Sequence, residues 1–162
     1  MRQVISAPPA IDVSALGLRL AGKGTVHRDP ARALCERHGL QTLYEAPVPL
    51  QKALRRELIR EHARSLAAHP DGLWDHSIFA SLADWMRWLW SATPAEEWEA
   101  VLAEARPAVE ASEVIHHVAS GPPAAYDGYR WLDTRNAVQI ERLMRALYRD
   151  LGCEARVREV GP

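Results

Sequence analysis

The sequence predicts an α/β fold built on a mostly parallel sheet, and two observations carry that expectation. Short apolar runs alternate along the chain with longer amphipathic ones, the order taken by strands and crossover helices. At 162 residues, with 48% hydrophobic and 25% charged residues, the chain has the size and composition of one globular domain over 1–162. Five runs read as strands, at 2–6, 24–28, 72–75, 113–119 and 154–160, with a weaker sixth near 41–45.

The first strand, Arg2-Gln3-Val4-Ile5-Ser6, leads into a helix-like run from Val13 to Ala21 that Gly22-Lys23-Gly24 stops. Asp29 and Pro30 read as the N-cap and first residue of a second helix, which Gly39 ends. Pro47 and Pro49 precede an amphipathic helix over 50–68, with Leu50, Leu54, Leu58 and Ile59 on one face. A further helix covers Ser77 to Trp90, and Thr93-Pro94-Ala95-Glu96 fits a capping box opening a helix through 106. Asp133 or Thr134 caps the last helix, whose Val138, Ile140, Leu143, Met144 and Leu147 face a core, and Gly152 terminates it.

Composition narrows the function classes. A net charge of −1 gives no global basic field for nucleic acid or an anionic membrane. Cys35 and Cys153 stand apart, with neither metal nor redox spacing, as in a reducing compartment. No metal and no cofactor are expected. Without a leader pattern or a run of about 18 apolar residues, the chain is expected to be cytoplasmic.

The loop after the first strand is the most informative segment. A strand entering a helix there is where nucleotide-binding proteins place G-x-x-x-x-G-K-[ST]. The eight residues here are Ala7-Pro8-Pro9-Ala10-Ile11-Asp12-Val13-Ser14, and only Ser14 survives in register. Phosphate loops turn consecutive backbone N–H groups around the anion, whereas Pro8 and Pro9 have no N–H and Asp12 brings a carboxylate. The loop is therefore expected not to bind ATP-Mg. Gly17 to Thr25 nearly repeats the motif, with Gly24 inserted, but no strand precedes it.

Three further places carry a resemblance. Gly24-Thr25-Val26-His27-Arg28-Asp29-Pro30 looks like a second strand ending in an acidic residue and proline. Gly72-Leu73-Trp74-Asp75-His76-Ser77 resembles a third-strand Asp-Arg-Ser signature, with histidine for arginine. Glu113-Val114-Ile115, Pro122-Pro123, Asp127-Gly128-Tyr129-Arg130 and Asp133 mirror a strand, a proline turn and an Asp-Gly-x-Arg lid. In this order the chain resembles the small P-loop kinase-like ATPases of the AAA-domain type, relatives of nicotinamide riboside kinase and thymidylate kinase. The resemblance implies a three-layer fold of about five mostly parallel strands with helices on both faces. It implies nucleotide-binding candidates Ser14, Asp127 and Arg130, and catalytic candidates Asp75 and Arg130. Val13 replaces the lysine and His76 the arginine, so the losses fall where phosphoryl transfer needs positive charge. The expected function is a catalytically inactive pseudo-kinase that binds or regulates. The alternative is an active nucleoside or small-metabolite kinase working through Ser14, Asp75 and Arg130. A third reading is a retained pocket with different chemistry.

Several residues carry two readings. Asp75 is a ligand-facing carboxylate or an N-cap before Ser77. Asp127 and Arg130 are a lid pair or a turn salt bridge. His76 titrates near neutral pH or is structural. His116 and His117 alternate across a strand and cannot pair as metal ligands. Lys52, Arg55, Arg56, Arg60 and Arg64 form a solvated face balanced by Glu57 and Glu61, or a contact for RNA or an acidic partner. In the helix from Ser77 to Trp90, Ile78, Leu82, Trp85, Met86 and Leu89 share one arc, and Trp88 lies outside it. Either the helix is buried nearly all round, or Trp88 marks a partner or self-association interface in an at least dimeric protein. A small molecule in a cleft is the other partner class left open.

Overall fold

The computed structural model describes residues 1–9, 11–119 and 133–161. Its sheet is made by β1 (Arg2–Ser6), β2 (Val26–His27), β3 (Gly72–Trp74), β4 (Val114–His117) and β5 (Val157–Glu159). Their order is β2-β3-β1-β4-β5 and every pairing is parallel. The helices are α1 (Ser14–Ala21), α2 (Ala31–Arg37), α3 (Val48–Ala68), α4 (Ile78–Leu89), α5 (Ala95–Ala111) and α6 (Thr134–Asp150). This is the α/β architecture the alternating pattern predicts.

β1 is central because both of its faces are apolar. Val4 stands in register with Trp74 and Ile115, and these three join the large core made with α4, α5 and α6. Ile5 points the other way and packs with Leu73 and with Leu16 of α1. Helices therefore cover both faces of the sheet. A smaller cluster of Ala31, Leu34, Cys35, Leu43, Leu54 and Leu58 fastens α2 to α3.

Local signals set most boundaries. Gly22 ends α1 at φ +58°, and Gly152 ends α6 at φ +66°, both in the left-handed region that glycine adopts most readily. Asp29 Oδ1 accepts the Ala31 N–H at 2.9 Å, and Asp133 Oδ1 accepts the Arg135 N–H at 3.1 Å, capping α2 and α6.

Three expectations are corrected. The run near 41–45 is a 3-10 turn, Leu43–Glu45, not a strand, because Leu43 is buried in the α2–α3 cluster, with no strand beside it among the described residues. Thr93 makes no capping box: its hydroxyl donates to the Leu89 carbonyl at 2.6 Å and accepts from the Trp85 indole at 3.1 Å. Helix α5 runs on to Ala111 past Pro107, because Ala105, Ala108 and Val109 keep its buried face continuous. Among the described residues, no helix is long and apolar enough to cross a membrane.

Candidate functional site

The chain leaves β1 toward β2 on one side, while β4 and β5 lie on the other, so the connections diverge at the C-terminal end of β1. Open α/β sheets bind ligands at such a point. A cleft of about 170 Å³ opens there, walled by the β1–α1 loop, Arg28 and Asp29 after β2, the 3-10 turn, α3, and the β3–α4 turn. A cavity of about 150 Å³ holds a benzene-sized ring, so the cleft has room for a single-ring compound.

The β1–α1 loop closes on itself. The Ile11 N–H donates to the Pro8 carbonyl at 3.0 Å, and the Asp12 Oδ1 accepts the Ser14 N–H at 2.9 Å. The amide that an anion would meet first at the head of α1 is thus bonded to the chain's own carboxylate. Ser14 and Asp12 are both exposed beside the cleft.

Asp75 lies at the mouth and ties the ends of β2 and β3 together. Its Oδ2 accepts from Arg28 Nη1 at 2.8 Å, and its Oδ1 from the Asp29 N–H at 2.9 Å and lies 3.3 Å from His76 Nδ1. Burial pushes the Asp75 pKa up. The hydrogen bonds and charges of His76 and Arg28 outweigh it and hold the carboxyl below its ordinary value. Asp75 does not cap α4. That role belongs to Ser77, whose Oγ accepts the Ala80 N–H at 3.1 Å.

Deeper in the cleft, Arg55 of α3 forms an ion pair with Asp84 of α4, whose Oδ1 also accepts from the Tyr44 hydroxyl at 3.0 Å. Burial raises the Tyr44 pKa, and Arg55 offsets part of that rise. Read from the sequence alone, Arg55 lies on a solvated face or at a contact for RNA or an acidic partner, and Tyr44 and Asp84 are assigned nothing. The burial of Arg55 in an ion pair with Asp84 corrects both expectations. A signal existed: Arg55 sits one residue after Leu54 and four before Ile59, inside the buried arc of α3.

Ser14 and Asp75 therefore both line the cleft, whereas Asp127 and Arg130 lie outside the described residues. Trp88 is half-buried, its ring edge-on to Tyr44 at 5.2 Å with the Arg87 guanidinium 4.5 Å from its centre. The basic face of α3 is balanced mainly by α5 and α4, not by Glu57 and Glu61. Lys52 pairs with Glu97 and Arg56 with Glu104, while Glu57 and Glu61 lie 3.1 and 3.6 Å from Arg37. His116 and His117 do face opposite ways, toward Gln3 and Tyr148 respectively. Among the described residues, no group of three His, Cys, Asp or Glu side chains could hold a metal ion. The chain matches no known family, no curated protein and no solved structure.

Proposed function

We propose that this domain is a degenerate P-loop kinase-like module that binds a small molecule in the cleft above Asp75 and regulates or docks, without transferring phosphoryl groups. The Asp12–Ser14 contact carries this reading. A carboxylate bonded to the first helical amide repels a phosphate from the position where phosphate loops attract one. The charge balance of the cleft supports it further. Arg28 and Arg55 are each engaged by a carboxylate, and the pairs Arg28–Asp75 and Arg55–Asp84 add no net positive charge. With Asp12 and Asp29 also lining the cleft, a single-ring compound without phosphates suits it better than a nucleoside triphosphate.

Titration calorimetry with ATP-Mg tests the proposal, and no heat is expected at millimolar nucleotide. A dissociation constant of about 100 μM or tighter would overturn it and favour an active kinase using Ser14, Asp75 and Arg130. Self-association through the end of α4 is the accompanying proposal. Trp88 there is only half-buried, and Trp90, packed edge-on to Trp98, is 52% exposed. Sedimentation of a monomer at about 100 μM removes that part.

A further inference from the structure

The outer faces of α5 and α6 carry opposite charge. Along one stripe of α5, Glu96, Glu99, Ala103, Arg106 and Glu110 are exposed. The matching stripe of α6 exposes Arg135, Val138, Arg142 and Arg149, and Val138 is 45% exposed. Among the described residues, none of these three glutamates and none of these three α6 arginines has an ion pair. Arg145, turned toward β5, does reach carboxylates, those of Glu141 and Glu159.

We propose that α6 of one copy of this chain docks antiparallel along the outer face of α5 of a second copy, setting Arg135, Arg142 and Arg149 against Glu110, Glu99 and Glu96. The docking rests on the self-association through the end of α4 proposed above, and it supplies the surface that the tryptophan patch there meets.

Length, sign and register favour a second copy as the mate. At about 1.5 Å per residue, Glu96 to Glu110 spans about 21 Å, and Arg135 to Arg149 spans the same. The net charge of the chain is −1, so two copies meet without strong overall repulsion. Direction follows from Arg106, the one cation on the α5 stripe. Antiparallel, it falls beside Val138 and Gln139, where its aliphatic stem covers apolar surface. Parallel, it falls opposite Arg145 and is repelled.

Trp90 stands at the Glu96 end of α5, 52% exposed and edge-on to Trp98 in the first turn. In the antiparallel register Arg149 arrives at that end, and a guanidinium over an indole face is a favourable contact. Exposed ion pairs each contribute little, so Trp90 is the apolar anchor and the charged stripes set direction and register.

Sedimentation velocity of the full chain at about 100 μM, in about 50 mM salt, tests the docking. Wild type is expected to self-associate. Arg135→Glu with Arg142→Glu and Arg149→Glu should weaken that association at least about tenfold. Adding Glu96→Arg, Glu99→Arg and Glu110→Arg returns the net charge to −1 and should restore it. Restoration at the wild-type net charge reports pairing between the stripes, not a change in overall repulsion. If circular dichroism shows the six-site variant unfolded, the central swap decides: Arg142→Glu alone weakens association and Glu99→Arg added to it recovers it. Association that survives the α6 reversals overturns the docking and leaves self-association through the tryptophans standing. A folded swap variant that stays monomeric also overturns the docking. A monomeric wild type overturns both.

Discussion

The imidazole of His62 on α3 packs 4.3 Å from that of His76, centre to centre, beneath the cleft. His62 is 2% exposed, and neither ring nitrogen has a hydrogen-bond partner among the described residues. Burial, followed by the charge of His76, holds the His62 pKa well below its usual value.

This contact predicts a loss of stability in mild acid. Unfolded His62 takes up a proton near pH 6.5, and folded His62 does not. The stabilisation is thus complete above about pH 6.5 and is lost as pH falls toward the lowered folded value. Between about pH 6.5 and that folded value each pH unit costs about 1.4 kcal/mol for this one group, and below it the slope vanishes. His27, His116 and His117 are lowered in the same direction and add to the slope. Urea denaturation at pH 7.5 and 5.5 measures it, and His62→Leu should flatten the dependence. An unchanged slope in that variant would show that His62 is protonated in the fold.

The Arg55–Asp84 pair predicts an asymmetric mutational response. Both side chains are buried, at 4% and 9% exposure. Removing one partner strands the other charge, so Asp84→Ala should cost about 3 kcal/mol or more, including the acceptor lost to Tyr44. Replacing both, as Arg55→Met with Asp84→Leu, should cost about 1 kcal/mol or less, because the desolvation of both charges is removed together. Denaturant melts of the two variants check this, and equal losses would contradict it.

Gly72 begins β3 under a stacked pair of rings. The His27 ring lies 4.5 Å from that of Trp74, nearly parallel to it. A Cβ on Gly72 would meet His27 Nε2 at 2.9 Å and the Trp74 ring at 3.2 Å. Gly72→Ala should therefore destabilise the protein by about 1–3 kcal/mol through overpacking. If the melting temperature does not change, the His27 ring moves aside freely.

The strands and helices were legible because the apolar period fixes them locally. Val4 and Ile5 alone mark β1 as covered on both faces, and Asp29 and Asp133 mark helix starts. The centre of the cleft was not legible. Arg55 and Asp84 are charged residues on two helices, 29 positions apart, and only the packing of α3 on α4 makes them a pair. His62 and His76 meet for the same reason. Thr93 misled because its hydroxyl found the Leu89 carbonyl and the Trp85 indole, which sequence spacing alone does not weigh against a cap.

The last prediction concerns the β1–α1 loop, where two substitutions separate charge from backbone. Val13→Lys restores the cation of a phosphate loop but leaves Pro8 and Pro9 without N–H groups and Asp12 bonded to the Ser14 N–H at 2.9 Å. It should bring no ATP-Mg binding, because the ring of inward amides is what holds the phosphates and the lysine only adds to it. Asp12→Ala removes the carboxylate from the head of α1. It should lower stability by about 1 kcal/mol, the cost of a lost helix cap, and still bind no nucleotide. Calorimetry and a thermal melt of each variant decide the matter. Binding by Val13→Lys alone would mean that the loop backbone already presents its amides to an anion, and that charge was the single missing part.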